Sequence, residues 1–193
     1  MLLILASNSQ IRHEMLAAAG IAVRIVAPEF DEGPVKKAHD GEPEMLARLL
    51  AEGKARSITV AEDALVIGSD SLVTVEGRRY SKPRDREEAA AHLRSFSGRS
   101  MALTSAVALA RSGKIEWSHA ESAQLHVRPL SEKFIKAYLD AEWPEVGHCV
   151  GVFRMEGRGV TLFERIEGNH FTILGMPLLP LLSALRERGA LAS

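Results

Sequence analysis

Several residues in this chain could do chemistry on a phosphate. Near the start, "LASNSQIR" ends an apolar run, Leu2 to Ala6, on Ser7, Asn8 and Ser9, with Arg12 one turn further on. If a strand runs into a helix there, free backbone N–H groups, the positive helix end, two hydroxyls and a guanidinium share one corner, which makes an anion site. The plainer use of the same residues is a helix cap at Ser9 and a solvated Arg12. "VIGSDSLV" sets Asp70 between apolar segments, where an unpaired carboxylate is expensive to bury. Asp70 is either a turn residue beside Gly68 or a group that binds a metal or takes a proton from water. Asp31 and Glu32 offer further carboxylates, and Lys54 and Lys82 each stand at an element boundary. Hydroxyls, an arginine and two lysines for phosphate, with carboxylates for Mg²⁺ and water, suit phosphoanhydride hydrolysis. That reaction asks for charge neutralisation and a positioned water, with no covalent nucleophile.

The elements that must position these groups alternate between strand and helix. Leu2–Ala6 reads as a strand, Gln10–Ala19 as a helix with Ser9 at its N-cap and Gly20 at its end, and Ile21–Ala27 as a second strand. "PEFDEGPVKKAHDGEP" reads as a long polar loop. Pro43 starts a helix with Met45, Leu46, Leu49 and Leu50 on one apolar face. Leu65–Ile67 and Leu72–Val75 read as strands on either side of "GSDS", followed by a turn at "EGRR". Asp85 and Glu88 have the spacing of a capping box for a helix through Leu93. Met101–Ala110 and Lys114–Val127 flank "RSG" as a long hairpin. Ser131 caps a helix carrying Phe134, Ile135 and Tyr138, and the tail runs through "GVFRMEGRG", two short strands and a closing helix after Pro177. The pattern predicts an α/β fold with a mixed sheet in a single domain spanning 1–193.

Composition narrows the function classes. A formal charge of −1 argues against a nucleic-acid coat or a polybasic membrane anchor. One cysteine, Cys149, excludes an internal disulfide framework. The seven histidines include no pair at i, i+4, so no zinc site is expected. The apolar stretch "FTILGMPLLPLLSAL" is interrupted by Pro177 and Pro180 and falls short of a membrane span. A soluble, cytoplasmic protein is expected, with no nucleic-acid or membrane partner. No Walker GxxxxGK[ST] run occurs, which disfavours a P-loop kinase or phosphatase.

The order of the motifs carries a resemblance. "LASNSQIR", "DE" in a loop, "GKA" on a helix, "GSDSLV", "SKPRD", "LRSFSGR" and "GRGVTLFERIEGNHFTILGMPL" together resemble the Maf family of nucleoside triphosphate pyrophosphatases over nearly the whole chain. The resemblance implies an inosine-triphosphate-pyrophosphatase-like fold: a mixed, elongated sheet flanked by helices, in two lobes with a central cleft. It implies hydrolysis of a nucleoside triphosphate to the monophosphate and pyrophosphate with Mg²⁺ or Mn²⁺. By the same resemblance Ser7, Ser9 and Arg12 hold phosphate, and Asp70 accepts the proton of the attacking water. Glu32 partners the metal or water together with Asp70, and Lys54 and Lys82 neutralise the polyphosphate and the departing pyrophosphate. A homodimer is compatible with the family, as is a non-catalytic role as a nucleotide-binding regulator of septum formation. Three positions bear on the base. The family's dTTP- and UTP-preferring branch has arginine, threonine and glutamine where this chain has Ile11, Ser71 and Glu156. The branch acting on 7-methylguanosine triphosphate has an apolar residue at the first place and glutamate at the third.

Overall fold

The computed structural model describes residues 1–60 and 64–192. The fold is α/β around one mixed sheet, with strands in the order β2-β1-β3-β5-β6-β7 and β4 paired to β3. The strands are β1 Leu2–Ala6, β2 Arg24–Val26, β3 Ala64–Val75, β4 Arg78–Tyr80, β5 Ser100–Arg111, β6 Lys114–Val127 and β7 Phe163–Glu167. The helices are α1 Gln10–Ala18, α2 Glu32–Ala38, α3 Pro43–Arg56, α4 Arg86–Phe96, α5 Glu132–Glu142, α6 His170–Leu174 and α7 Leu178–Glu187. β1 runs parallel to both β2 and β3, whereas β3–β4 and β6–β7 are antiparallel. The chain divides into two compact units, Met1–Ser71 with Thr104–Glu121 and Asn169–Ser193, and Leu72–Leu103 with Ser122–Gly168. The long strands β3, β5 and β6 each contribute to both. No helix among the described residues is long and apolar enough to cross a membrane.

The first unit is organised by the period-2 alternation of its strands. Leu3 and Leu5, Leu65 and Ile67, and Val107 and Leu109 pack with Met15 and Leu16 of α1 and with Leu178, Leu181 and Leu185 of α7. Gly68, one residue on from Ile67, faces the other way. A Cβ built there would lie 2.2 Å from the Ala51 carbonyl oxygen and 2.6 Å from the Ala55 nitrogen, so the backbone of α3 rests directly on β3. Register fixes this point, since Ala6 pairs with Gly68.

In the second unit, α4 and α5 are joined by a two-pronged Arg94–Glu132 ion pair at 2.8 and 2.9 Å and by Arg86 with Asp140. Tyr80 packs edge-on against Phe96, and the buried Tyr138 hydroxyl donates to the Val152 carbonyl at 3.0 Å.

Several expectations are corrected. "GSDS" does not interrupt a strand, because β3 continues unbroken through it. The second strand is shorter than Ile21–Ala27: the Gly20 and Ile21 N–H groups return to Ala17 and Leu16 and close α1, with Gly20 at φ +74°. Part of the long polar loop is helical, since Asp31 accepts from the Gly33 N–H at 2.9 Å and starts α2. On α3, Leu46 and Leu50 are buried while Met45 and Leu49 remain exposed. Asp85 caps α4 through the Glu88 N–H, but Glu88 answers to the Arg84 N–H, so the capping box is only half formed. The tail has one strand rather than two: Asn169 caps α6 and Gly175, at φ +111°, closes it. The hairpin, with its turn at Ser112–Gly113, and the Ser131-capped α5 stand as expected.

Candidate active site

Asp70 lies two residues beyond Gly68 on β3 and shares its face, so it points at α3. Lys54 follows Gly53 on α3, and the tight seating of Ala51 and Ala55 on Gly68 brings its ammonium into a hydrogen-bonded ion pair with Asp70. Gly53 does a second job: the Phe30 ring lies where a Cβ would be, at 2.2 Å. That contact anchors the approach to α2, whose first residue, Glu32, reaches Lys54 Nζ at 2.7 Å. Lys36, one turn along α2, bonds the other Glu32 oxygen at 2.5 Å. The result is a row of alternating charges, Lys36, Glu32, Lys54 and Asp70. Burial alone would raise the Glu32 pKa, but hydrogen bonds from Lys36 and Lys54, with their charges, hold it down at about 2. Asp70 is 7% exposed, which makes Lys54 the compensation for a nearly buried carboxylate.

The opposite face of β3 carries Ser69 and Ser71, and there the arrangement is different. Arg12 donates through Nε to the Gly175 carbonyl at 2.9 Å, and through the other two nitrogens to the Ser69 carbonyl and the Ser71 hydroxyl, both at 3.0 Å. A longer bond, 3.4 Å, goes to the Ser7 hydroxyl. Every one of these acceptors is neutral. Burial pushes the guanidinium pKa down, and the fields of Asp70 and Glu32 pull it back up. Ser7 also accepts from the Ser9 N–H at 3.1 Å, bracing the strand-to-helix corner. Ser9 stands at the N-cap position of α1, but its side chain caps no helical N–H.

The structure therefore assembles two of the expected groupings within the first unit: Asp70, Glu32 and Lys54, and Ser7, Arg12 and Ser71. Ile11 lies half-buried on α1, and Ser9 is half-buried beside Ser7. Asp31 is the α2 cap and is not part of the acid pair. Lys82 and Glu156 belong to the second unit, where both are exposed. Near Glu156, Arg154 pairs with the buried Glu142 at 3.6 Å. Sequence reasoning missed Lys36, Phe30, Ser69, Ser105, Thr172 and Gly175. The polar pair Thr104–Ser105 inside the apolar "MALTSAVALA" was a legible signal for the buried hydroxyls.

A divalent cation can be tested against this geometry. One oxygen of Asp70 and one of Glu32 converge on the same Lys54 nitrogen, so both carboxylates already address a single point. No cluster of three His, Cys, Asp or Glu ligands exists among the described residues. Two carboxylates with the rest of the shell left to water and phosphate is how Mg²⁺ is ordinarily held, so the donor set fits.

The chain is 47% identical to the 7-methyl-GTP pyrophosphatase of Rhizobium meliloti, over 98% of this chain and 98% of that protein. It is 42% identical to a nucleoside triphosphate pyrophosphatase of Nitrobacter hamburgensis, over 98% of this chain and 95% of that protein. Among solved structures, a nucleoside-triphosphatase / dITP/XTP pyrophosphatase of Mycobacterium abscessus matches 66% of this chain and 73% of its own, with a TM-score of 0.40 and 20% identity. Residues 2–188 match the family of Maf-like proteins, and the chain belongs to that family.

Proposed function

We propose that this chain is a nucleoside triphosphate pyrophosphatase that cleaves the α,β-anhydride to give the monophosphate and pyrophosphate, with 7-methylguanosine triphosphate as its preferred substrate. The observation that carries the reading is the Lys54 ammonium held between Asp70 and Glu32. An acid pair gathered around one cation suits polyphosphate hydrolysis, because the same carboxylates can hold Mg²⁺ or Mn²⁺ and take a proton from water. The metal, when bound, supplies positive charge to the anhydride oxygens. Asp70 accepts the water proton, Glu32 partners the metal or the water, and Lys54 and Lys82 stabilise the developing charge on pyrophosphate. Arg12, with Ser7 and Ser9, grips phosphate in the same way for every nucleotide.

The base preference rests on Glu156 and on the name carried by the Rhizobium meliloti relative. Guanine offers adjacent N–H donors on its Watson–Crick edge, which suit a carboxylate that only accepts, and the methylated ring is cationic. Uracil and thymine alternate acceptor and donor and suit an amide. Turnover of 7-methylguanosine triphosphate, dTTP and UTP at matched Mg²⁺, with pyrophosphate release followed with and without the metal, tests the whole reading. The expected order puts 7-methylguanosine triphosphate first, and Glu156→Gln narrows the gap. A wild-type preference for dTTP or UTP defeats the base assignment, and nucleotide binding without hydrolysis favours a regulator of cell division instead.

A further inference from the structure

We propose that Ser105, backed by Thr172 and Glu121, is a positioning residue that aims Arg12 and so sets the enzyme's grip on polyphosphate. The inference rests on the phosphate role given to Arg12 above. Its basis is a chain of hydroxyls leading away from the guanidinium into the core of the first unit. Arg12 donates to Ser71 Oγ at 3.0 Å, Ser71 and Ser105 share a bond of 2.9 Å, and Ser105 donates to the Thr172 carbonyl at 2.8 Å. Ser69, Ser105 and Thr172 have no exposure to solvent. Three fully buried hydroxyls are costly unless each is bonded, and alanine at those positions would avoid the risk altogether.

Counting hydrogens gives the chain a direction. The Gly175 carbonyl lies within reach of Arg12 Nε at 2.9 Å and of Ser69 and Ser71 at 3.1 Å each, yet it has only two lone pairs. Ser69 has one hydrogen and a closer acceptor, the Ala106 carbonyl at 2.7 Å. Ser105 has one hydrogen and commits it to the Thr172 carbonyl, so in the contact between the two serines it is Ser71 that donates. The shortest contacts then form a one-way line from Arg12 through Ser71 and Ser105 to the Thr172 carbonyl. In that line Ser105 fixes the rotor of Ser71, leaving a lone pair of Ser71 turned to the guanidinium.

The far end of the line is anchored by a charge. The Thr172 hydroxyl donates to Glu121 Oε2 at 2.5 Å, and Glu121 is met by His119 at 3.1 Å through its other oxygen. The five-residue α6 has little internal stability, so this bond keeps its Thr172 carbonyl, and the Gly175 carbonyl just past its end, in place. Both carbonyls serve the Arg12 network.

The test compares Ser105→Ala, which adds no volume, with Thr172→Val and the conservative Thr172→Ser. Four quantities are read: KM and kcat for the triphosphate, the affinity for inorganic pyrophosphate, the thermal midpoint, and the exchange rate of the Arg12 Nε–H by nitrogen-15 NMR. Ser105→Ala and Thr172→Val are expected to raise KM about tenfold and weaken pyrophosphate to a similar degree, with kcat changed by no more than about twofold. The Arg12 Nε–H should exchange faster in both, and Thr172→Ser should keep wild-type behaviour. An unchanged KM or an unchanged Arg12 signal overturns the proposal, whatever happens to the thermal midpoint. If the wild-type protein turns over no nucleotide, the functional reading above fails, while the pyrophosphate titration and the NMR signal still decide the role of Ser105.

Discussion

The two faces of β3 hold cations by opposite means. On one face Lys54 sits between Asp70 and Glu32, and its charge is matched by carboxylates. On the other, every hydrogen bond that Arg12 makes among the described residues ends on a neutral oxygen of Gly175, Ser69, Ser71 or Ser7. The difference follows from the two side chains. An ammonium is a compact point charge that needs a counter-charge when half-buried, whereas the planar guanidinium spreads its charge over five donors and can be aimed by carbonyls. The first arrangement keeps two carboxylates together around one cation. The second orients a cation without neutralising it.

Breaking the acid side should have the largest effect. Asp70→Asn keeps the shape and loses the proposed proton acceptor, so turnover should fall by about a thousandfold while nucleotide binding is largely retained. Near-normal turnover would remove Asp70 from the chemistry. On the neutral side, Arg12→Ala should raise KM about a hundredfold, equally for every nucleotide, and Arg12→Lys should not restore it because one ammonium cannot reproduce the fork. A loss confined to one base would contradict the phosphate role.

Gly68→Ala acts on the seating that creates the acid face. The added Cβ would lie 2.2 Å from a backbone oxygen of α3, so the helix must shift and carry Lys54 away from Asp70. A destabilisation of about 1–3 kcal/mol is expected in denaturant titration, together with lost activity. The smallest effect is a proton linkage. Glu32 titrates at about 2 in the fold against an ordinary value of 4.5, so the unfolded chain binds more protons between these limits. The stability from this group is therefore present above about pH 4.5 and lost as the pH falls toward 2. Glu32→Gln should flatten that part of the acid limb; an unaltered limb would assign it to other groups.

Much of this was legible beforehand because the signals were local. β1 and α1 are marked by an apolar run, a serine and a closing glycine, and the site residues lie in short motifs. What was not legible depends on contacts distant in sequence. Nothing within "GSDS" shows that β3 will run straight through it; the pairing of Ala6 with Gly68 and the seating of α3 decide that. Asp31 followed by Gly33 and Pro34 reads as continued loop, although Asp31 and the lysines at the far end favour a helix. "HFTIL" is as good a strand as a helix by composition, and only its cap and its glycine settle the matter. The Ser69 and Gly175 carbonyls that hold Arg12 are main-chain atoms, and no residue type announces them.

The alternating row on α2, α3 and β3 also has a consequence at long range. Lys36, Glu32, Lys54 and Asp70 cancel one another, and the chain as a whole carries a formal charge of −1. Such a row casts almost no field beyond a Debye length, about 10 Å at 0.1 M salt. The row itself therefore neither draws in nor repels an approaching polyanion from afar, and it adds little ionic-strength dependence to the encounter. If Arg12 grips phosphate as proposed, discrimination begins only at touching distance, where it presents the charge that its neutral acceptors have left uncancelled.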